Sequence, residues 1–173
     1  DFAVNGAKST RIKSDGDIQL IGRPVTFDST TGGQQYSRQI GGLNSAGNIE
    51  LVAAQVYPAT RSEFTVSVKD QPGDSLKPGG SITVEKNNRT PGSVYSAAGT
   101  VTLEAVTITQ SGRLLAPQGE INLLAGSQLA LADGSLTSVS GGDMTVLYGT
   151  TLNGLTWRTD MPAASNARTA PRS

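Results

Sequence analysis

A short pattern of polar and aliphatic positions recurs along the chain. Each copy begins with glycine and continues with two aliphatic residues, each of which follows a variable position. Alternation of apolar and polar residues over a few positions predicts a β-strand with one buried face. A strand that returns many times is typical of proteins built from stacked repeats. The six copies are Gly16-Asp17-Ile18-Gln19-Leu20, Gly47-Asn48-Ile49-Glu50-Leu51, Gly80-Ser81-Ile82-Thr83-Val84, Gly99-Thr100-Val101-Thr102-Leu103, Gly119-Glu120-Ile121-Asn122-Leu123 and Gly142-Asp143-Met144-Thr145-Val146.

The spacing of these copies predicts the length of a repeat. Their glycines lie 31, 33, 19, 20 and 23 residues apart. The last three intervals indicate a repeat of about 20 residues, and the first two indicate one repeat plus an insertion of about ten residues. The inserted segments are Ser29–Gly42 and Lys69–Gly79, whose clustered Gly, Pro, Thr and Gln residues are typical of loops. We expect these two loops to be the main contact surfaces, because loops on a rigid scaffold carry recognition.

One repeat contains more than one strand. Val101, Leu103 and Ala105 alternate with polar residues, and the chain then bends before further aliphatic residues at Ile108 and Leu114. Three short strands per turn predict an all-β parallel β-helix, a solenoid whose turns lie about 4.8 Å apart. Threonine suits the outward strand positions, because it combines a polar group with β-branching. We expect the repeated glycines to mark corners that need a positive φ or a close backbone approach.

The repeat also predicts which side chains stack. We expect one inward column to contain Ile18, Ile49, Ile82, Val101, Ile121 and Met144, and a second to contain Leu20, Leu51, Val84, Leu103, Leu123 and Val146. The outward positions between them would hold Gln19, Glu50, Thr83, Thr102, Asn122 and Thr145.

The pattern sets the expected domain limits. Residues 1–157 read as a single β-helix domain, and Trp157 is expected to cap its final turn. Residues 158–173 have no periodicity and read as a polar C-terminal tail or linker. A β-helix has open strand edges only at its two ends, and such edges favour end-to-end self-association.

The amino-acid composition argues against several classes of function. The chain has 173 residues, with 14 Lys and Arg against 14 Asp and Glu, so it lacks the basic character of a nucleic-acid-binding protein. It contains no cysteine and no histidine, which excludes disulfides, Ser-His-Asp triads and the usual zinc sites. We therefore expect no catalytic, cofactor-binding or metal-binding residues, and no enzyme activity.

Two groups of residues still bear on chemistry. Glu85 and Glu104 both lie five residues after a repeat glycine, so stacked turns would bring them about 5 Å apart. As a pair, these carboxylates would catalyse glycoside hydrolysis or bind Ca²⁺. The alternative is that they are two separate charges exposed to solvent. The tyrosines Tyr57, Tyr95 and Tyr148 would stack on sugar rings if exposed, but they lie at different offsets, and a packing role is the alternative.

Longer phrases resemble filamentous haemagglutinin-like exoproteins, the secreted partners of bacterial two-partner secretion systems. The resemblance covers about Gly47 to Trp157. The phrases that carry it are Val56-Tyr57-Pro58-Ala59-Thr60, Ser96-Ala97-Ala98-Gly99, Ile108-Thr109-Gln110-Ser111-Gly112-Arg113-Leu114-Leu115-Ala116-Pro117-Gln118-Gly119 and Gly134-Ser135-Leu136-Thr137-Ser138-Val139-Ser140. It implies a right-handed β-helix and export through an outer-membrane β-barrel partner. It also implies a location outside the cell or on the bacterial outer-membrane surface.

Two functions follow from these expectations. The first is a non-catalytic structural and adhesive segment of a large surface filament, which contacts host or bacterial cells, including their glycans, in adhesion, biofilm formation or virulence. The family's N-terminal secretion domain and C-terminal toxin have no match here, so the segment would be internal. The alternative is a carbohydrate-active β-helix enzyme, a polysaccharide hydrolase or lyase. The internal aspartates are scattered beside glycines rather than clustered, which disfavours the enzyme.

Overall fold

A computed structural model describes residues 2–4, 6–28, 35–69, 79–142, 150–152 and 156–158. Within these residues all regular structure is β, with no helix. The strands are β1 (Phe2–Val4), β2 (Ser9–Lys13), β3 (Ile18–Leu20), β4 (Arg23–Asp28), β5 (Gln35–Ser45), β6 (Asn48–Ala53), β7 (Val56–Pro58), β8 (Ser62–Val68), β9 (Ser81–Lys86), β10 (Thr100–Gln110), β11 (Arg113–Leu115), β12 (Glu120–Leu131), β13 (Leu136–Ser138), β14 (Thr150–Leu152) and β15 (Thr156–Arg158). The prediction of an all-β protein is confirmed.

Parallel pairing arranges most of these strands in three series. The first series contains β1, β5, β8 and the first halves of β10 and β12. The second contains β2, β6, β9 and the second halves of β10 and β12. The third contains β3, β7, β11 and β13. Because β10 and β12 run through the first two series, the eight strands of those series form one sheet, to which β4 adds a ninth strand by pairing with β5. The third series forms a separate four-stranded sheet.

The chain visits the three series in the same order several times. It passes from β1 to β2 to β3, then from β5 to β6 to β7, and later from β10 to β11 and from β12 to β13. The β10–β12 register shifts between Ala105 and Thr107, where both strands pass from the first series to the second. The strands β4 and β5 interrupt the order, because they pair as an antiparallel hairpin over Arg23–Asp28.

Aliphatic side chains in register form the core. In the first series, Leu43, Val66 and Leu103 are buried and occupy one register position. In the second series, Ile49, Ile82 and Ile108 do the same. In the third series, Val56 pairs with Leu114, and both are buried. These residues belong to one continuous apolar cluster, so the strands of all three series share a single core.

The predicted inward columns are only partly correct. The pairs Ile49 with Ile82 and Leu51 with Val84 are in register in the second series. The pairs Val101 with Ile121 and Leu103 with Leu123 are in register in the first.

The prediction that all these residues continue one column is wrong. Ile18 pairs with Val56 in the third series, and Ile82 pairs with Ile108 rather than with Val101. The repeated phrase opens a strand of any series, so equal offsets from its glycine do not mark equal positions in the fold. Met144 and Val146 lie outside the described residues. Of the predicted outward residues, Gln19, Glu50, Thr83, Thr102 and Asn122 are exposed or half-buried.

The residues divide into two compact units, 1–142 and 143–173. The described part of the second unit is a short antiparallel pair, in which Thr151 lies opposite Trp157. The predicted capping role of the Trp157 side chain lies outside the described residues. Of the predicted tail 158–173, residue 158 is the last residue of β15, and residues 159–173 lie outside the described residues.

Candidate functional site

The two candidate glutamates are not brought into register. Glu85 lies on β9 in the second series, where it pairs with Val52. Glu104 lies on β10 in the first series, where it pairs with Ser67 and Leu124. The expectation that stacking places these carboxylates side by side is therefore wrong, because Gly80 and Gly99 precede strands of different series. Within the described residues, no group of three or more Asp, Glu, His or Cys side chains is placed to hold a metal ion.

The two predicted loops are described only in part. Residues 29–34, the first part of Ser29–Gly42, and residues 70–78, the middle of Lys69–Gly79, lie outside the described residues. The remainder of the first insertion is strand rather than loop, since β5 pairs with β4 over residues 35–40 and then with β8. The Arg38 guanidinium forms an ion pair with Glu63, which ties this hairpin to β8.

A third insertion was missed by the sequence reasoning. Residues 87–98 connect β9 to β10 and contain no strand. They occupy the place in the chain where a third-series strand would follow β9, and β7 pairs with β11 instead, at Val56 and Leu114. The run Asn87-Asn88-Arg89-Thr90-Pro91-Gly92-Ser93 has loop composition, and this signal was present in the sequence. We call residues 87–98 the β9–β10 loop.

Hydrogen bonds attach both ends of the β9–β10 loop to other parts of the chain, both before and after it. At its start, Asn87 Nδ2 donates to the carbonyl oxygen of Ser14 over 2.7 Å. At its end, the Ser96 hydroxyl donates to the carbonyl oxygen of Pro58. The Ala98 amide donates to the carbonyl oxygen of Pro117 over 2.9 Å. The loop is thus an ordered part of the surface.

A buried amide holds the middle of the β9–β10 loop. Gln55 is 2 % exposed, and its Nε2 donates to Asp17 Oδ2 over 2.9 Å and to the Gly92 carbonyl oxygen over 2.8 Å. The Gly92 amide lies 3.4 Å from Asp17 Oδ1. Because a charge-assisted bond in a buried place is stronger than a bond in water, this contact fixes the loop against β3 and β7.

The tyrosines fall into different environments. Tyr57 on β7 is 9 % exposed, so its ring is part of the packing and is not available to stack on a sugar. Burial, and then the charge of Asp17, raise the pKa of Tyr57 above its ordinary value. Tyr95 in the β9–β10 loop is 80 % exposed, and Arg89 in the same loop is also exposed. The Tyr36 and Tyr148 side chains lie outside the described part of the chain.

The β9–β10 loop itself carries one charged residue, Arg89. Arg113, the first residue of β11, immediately precedes Leu114, and Gln55 immediately precedes Val56, the residue with which Leu114 pairs. Arg113 Nε is buried without a hydrogen-bond partner. The β9–β10 loop therefore offers an exposed aromatic ring, Tyr95, and one exposed guanidinium, Arg89, a combination suited to contact with sugars or acidic groups.

Comparisons with known proteins leave the chain without an assigned relative: no family model, no curated protein and no solved structure matches it. In the described residues there is also no helix of the length and apolar character needed to span a membrane.

Proposed function

We propose that this chain is a right-handed parallel β-helix and a non-catalytic structural and adhesive segment of a large secreted bacterial surface filament. The observation that carries the fold is the repeated passage through three parallel series with buried aliphatic residues in register, as at Leu43, Val66 and Leu103. A right-handed path is favoured because crossovers between parallel strands are nearly always right-handed.

The same arrangement supports a scaffold role. Paired parallel strands satisfy the backbone of each turn through the next, and one apolar cluster runs through the series. The β9–β10 loop contributes no residue to that cluster. The resemblance to filamentous haemagglutinin-like exoproteins adds the secreted location and the outer-membrane β-barrel secretion partner to the proposal.

Adhesion would act through the insertions, and the β9–β10 loop is the best described of them. Its exposed Tyr95 ring and Arg89 guanidinium are held on the surface by the Gln55 contact with Gly92. An aromatic ring of this kind can stack on the apolar face of a sugar, while a guanidinium pairs with acidic groups. We therefore propose that host or bacterial cell-surface glycans are the partners.

The residues that supported the alternative, a polysaccharide-degrading enzyme, do not form the expected pair. This alternative relied on the pairing of Glu85 and Glu104, and these residues lie in different series.

The test of the proposed function is binding of the labelled chain to erythrocytes, epithelial cells and a panel of glycans. Three variants are compared with the unaltered chain: a Tyr95→Ala/Arg89→Ala double variant, and deletions of 29–34 and of 70–78. Thr102→Ser, an outward strand substitution, is the matched control. Saturable binding that a loop variant loses and Thr102→Ser retains supports an adhesive segment. A folded chain that binds no surface contradicts adhesion and leaves only the scaffold role.

A further inference from the structure

The turn that contains β8 and β9 supplies a strand to only two of the three series. In the first series β8 lies between β5 and β10, and in the second series β9 lies between β6 and β10. In the third series β7 and β11 are direct neighbours, and their register is limited to Val56 and Leu114. The pairs β3–β7 and β11–β13 are each in register over three residues. The β9–β10 loop therefore leaves the third series one strand short at this turn.

The two ends of the β9–β10 loop nevertheless follow the ladder of the coil. At the start, the Asn87 amide donates to the carbonyl oxygen of Ala53 over 3.0 Å, directly after the last paired residue of β9. At the end, the Ala98 amide donates to the carbonyl oxygen of Pro117 over 2.9 Å. Only the middle of the loop departs from the ladder. A strand formed there would close no new long loop, so its ordering cost is small.

The middle of the loop contains a run suited to such a strand. In Ser93-Val94-Tyr95 an aliphatic residue lies at the centre, as Leu114 does in β11. Val94 is half-buried and does not belong to the apolar core, whereas Leu114 is fully buried. A strand at this place would turn Val94 inward and leave Ser93 and Tyr95 outward, because successive side chains point to opposite faces.

The loop is also long enough to contain a strand. It has twelve residues, 87–98, whereas the connection that contains β7 has eight, 54–61. The residues in excess would remain outside the series, ahead of Ser93.

A polar contact holds the loop on the wrong side of β7 for pairing with β11. Gln55 Nε2 donates to the Gly92 carbonyl oxygen over 2.8 Å and to Asp17 Oδ2 over 2.9 Å. The Gly92 amide lies 3.4 Å from Asp17 Oδ1, which places Gly92 towards β3. The missing strand would lie towards β11. Because Gly92 immediately precedes Ser93, this contact keeps the run away from that place.

We propose that residues 93–95 exchange between this docked position and an inserted position, in which they form the missing third-series strand between β7 and β11. The inference rests on the proposed β-helix and is independent of adhesion. Insertion separates β7 from β11 by one strand spacing and buries Val94 between Val56 and Leu114. The Gln55 contact with Gly92 biases the exchange, because it is made in the docked position alone.

The first experiment measures hydrogen exchange of single amides by NMR on the full chain. Gln55→Leu removes the contact that favours the docked position. The amides of residues 93–95 should then exchange about tenfold more slowly, the factor that corresponds to about 90 % occupancy of the inserted position. Gln128→Leu, at an exposed position on β12, is the control and should leave their exchange unchanged. Unchanged or faster exchange in Gln55→Leu means that the loop only detaches, and it overturns the proposal.

The second experiment locks β7 against β11. The chain has no cysteine, and Val56 and Leu114 are in register, so Val56→Cys/Leu114→Cys can close a disulfide in the Gln55→Leu chain. Oxidation should abolish the slow exchange of residues 93–95, and reduction should restore it. Slow exchange that survives oxidation overturns the proposal, because insertion requires the two strands to separate.

A third comparison needs no change to the core. Val94→Asp, added to Gln55→Leu, should abolish the slow exchange, because a charge cannot enter the core unpaired. Ser93→Asp, at the neighbouring outward position, should retain it. Equal effects of the two substitutions overturn the proposal. Such a failure leaves the proposed β-helix in place, since the register of the other strands does not depend on residues 93–95.

Discussion

The carbonyl oxygen of Gly99 lies where a β-carbon on Gly119 would have to be. The two glycines open successive first-series strands, and the Glu120 amide donates to the same carbonyl over 3.0 Å. Gly99 is itself crowded, because a β-carbon there would lie 2.7 Å from the carbonyl oxygen of Ala59. The corner thus requires glycine for close backbone approach, as the sequence pattern predicted.

The first prediction concerns this corner. Gly119→Ala should destabilise the fold by about 1–3 kcal/mol, because the added methyl group forces the backbone of two turns apart. Gly16→Ala is the matched control, since a β-carbon on Gly16 meets nothing within 4 Å. Chemical denaturation of both variants measures the difference. Equal losses of stability would show that the turns do not approach closely at Gly119.

The sequence repeat predicted the inward faces of the strands correctly, but it predicted the columns of stacked side chains only in part, and the reason is physical. Alternation of aliphatic and polar residues reports burial of one strand face, so Val101 and Leu103 were assigned inward correctly. Register is set by which corner each strand follows, and a glycine phrase marks corners of all three series alike. The pairing of Ile82 with Ile108 could not be read from the phrase, because Ile108 follows no repeat glycine.

The candidate site was less predictable than the fold. The Gln55 contact joins residues distant in sequence, Asp17 and Gly92, and no local pattern marks a glutamine as buried. The β9–β10 loop was hidden by the spacing, because the interval of 19 residues from Gly80 to Gly99 matched an uninterrupted turn. Tyr57 and Tyr95 could be separated into buried and exposed only once that loop was placed.

The second prediction tests the inward and outward positions. Leu103→Asp should cost about 4 kcal/mol or more and abolish folding, because Leu103 is fully buried and the new charge has no partner. Leu123→Asp should cost less, since Leu123 is half-buried. Thr102→Asp, on a half-exposed position, should cost less than about 1 kcal/mol. Thermal unfolding, monitored by circular dichroism, gives the order of stability of the three variants. If Thr102→Asp is the least stable, the assignment of inward and outward positions is contradicted.

The third prediction concerns the anchored loop. Gln55→Leu removes the donor to Asp17 and Gly92, so the β9–β10 loop should detach from β3 and β7 while the strands remain folded. Trypsin should then cleave after Arg89 faster than in the unaltered chain. Gln128→Leu, at an exposed position on β12, is the control and should leave that rate unchanged. An unchanged rate in Gln55→Leu would show that other contacts hold the loop.

The fourth prediction follows from the raised pKa of Tyr57. Below the unfolded-state pKa of about 10 the phenol is protonated in both states and stability does not depend on it. As pH rises past this value the unfolded state loses its proton first, so the free energy of unfolding falls until the folded-state pKa is passed. Denaturation between pH 8 and 11 should show this loss, and Tyr57→Phe should reduce it. An identical profile for Tyr57→Phe would assign the alkaline loss to other groups.

The central claim is that successive turns of one coil stack in the observed register. Disulfide formation measures this most directly, because the chain has no native cysteine. Thr102 pairs with Asn122, and parallel neighbours about 4.8 Å apart are within disulfide range. Thr102→Cys/Asn122→Cys should therefore close a disulfide on mild oxidation. Thr83→Cys/Thr102→Cys should stay reduced, because Thr83 pairs with Thr109 and not with Thr102. Thr83 and Thr102 nevertheless lie at the same offset, three residues after a repeat glycine. A disulfide in the second variant and none in the first would contradict the register and the coil built on it.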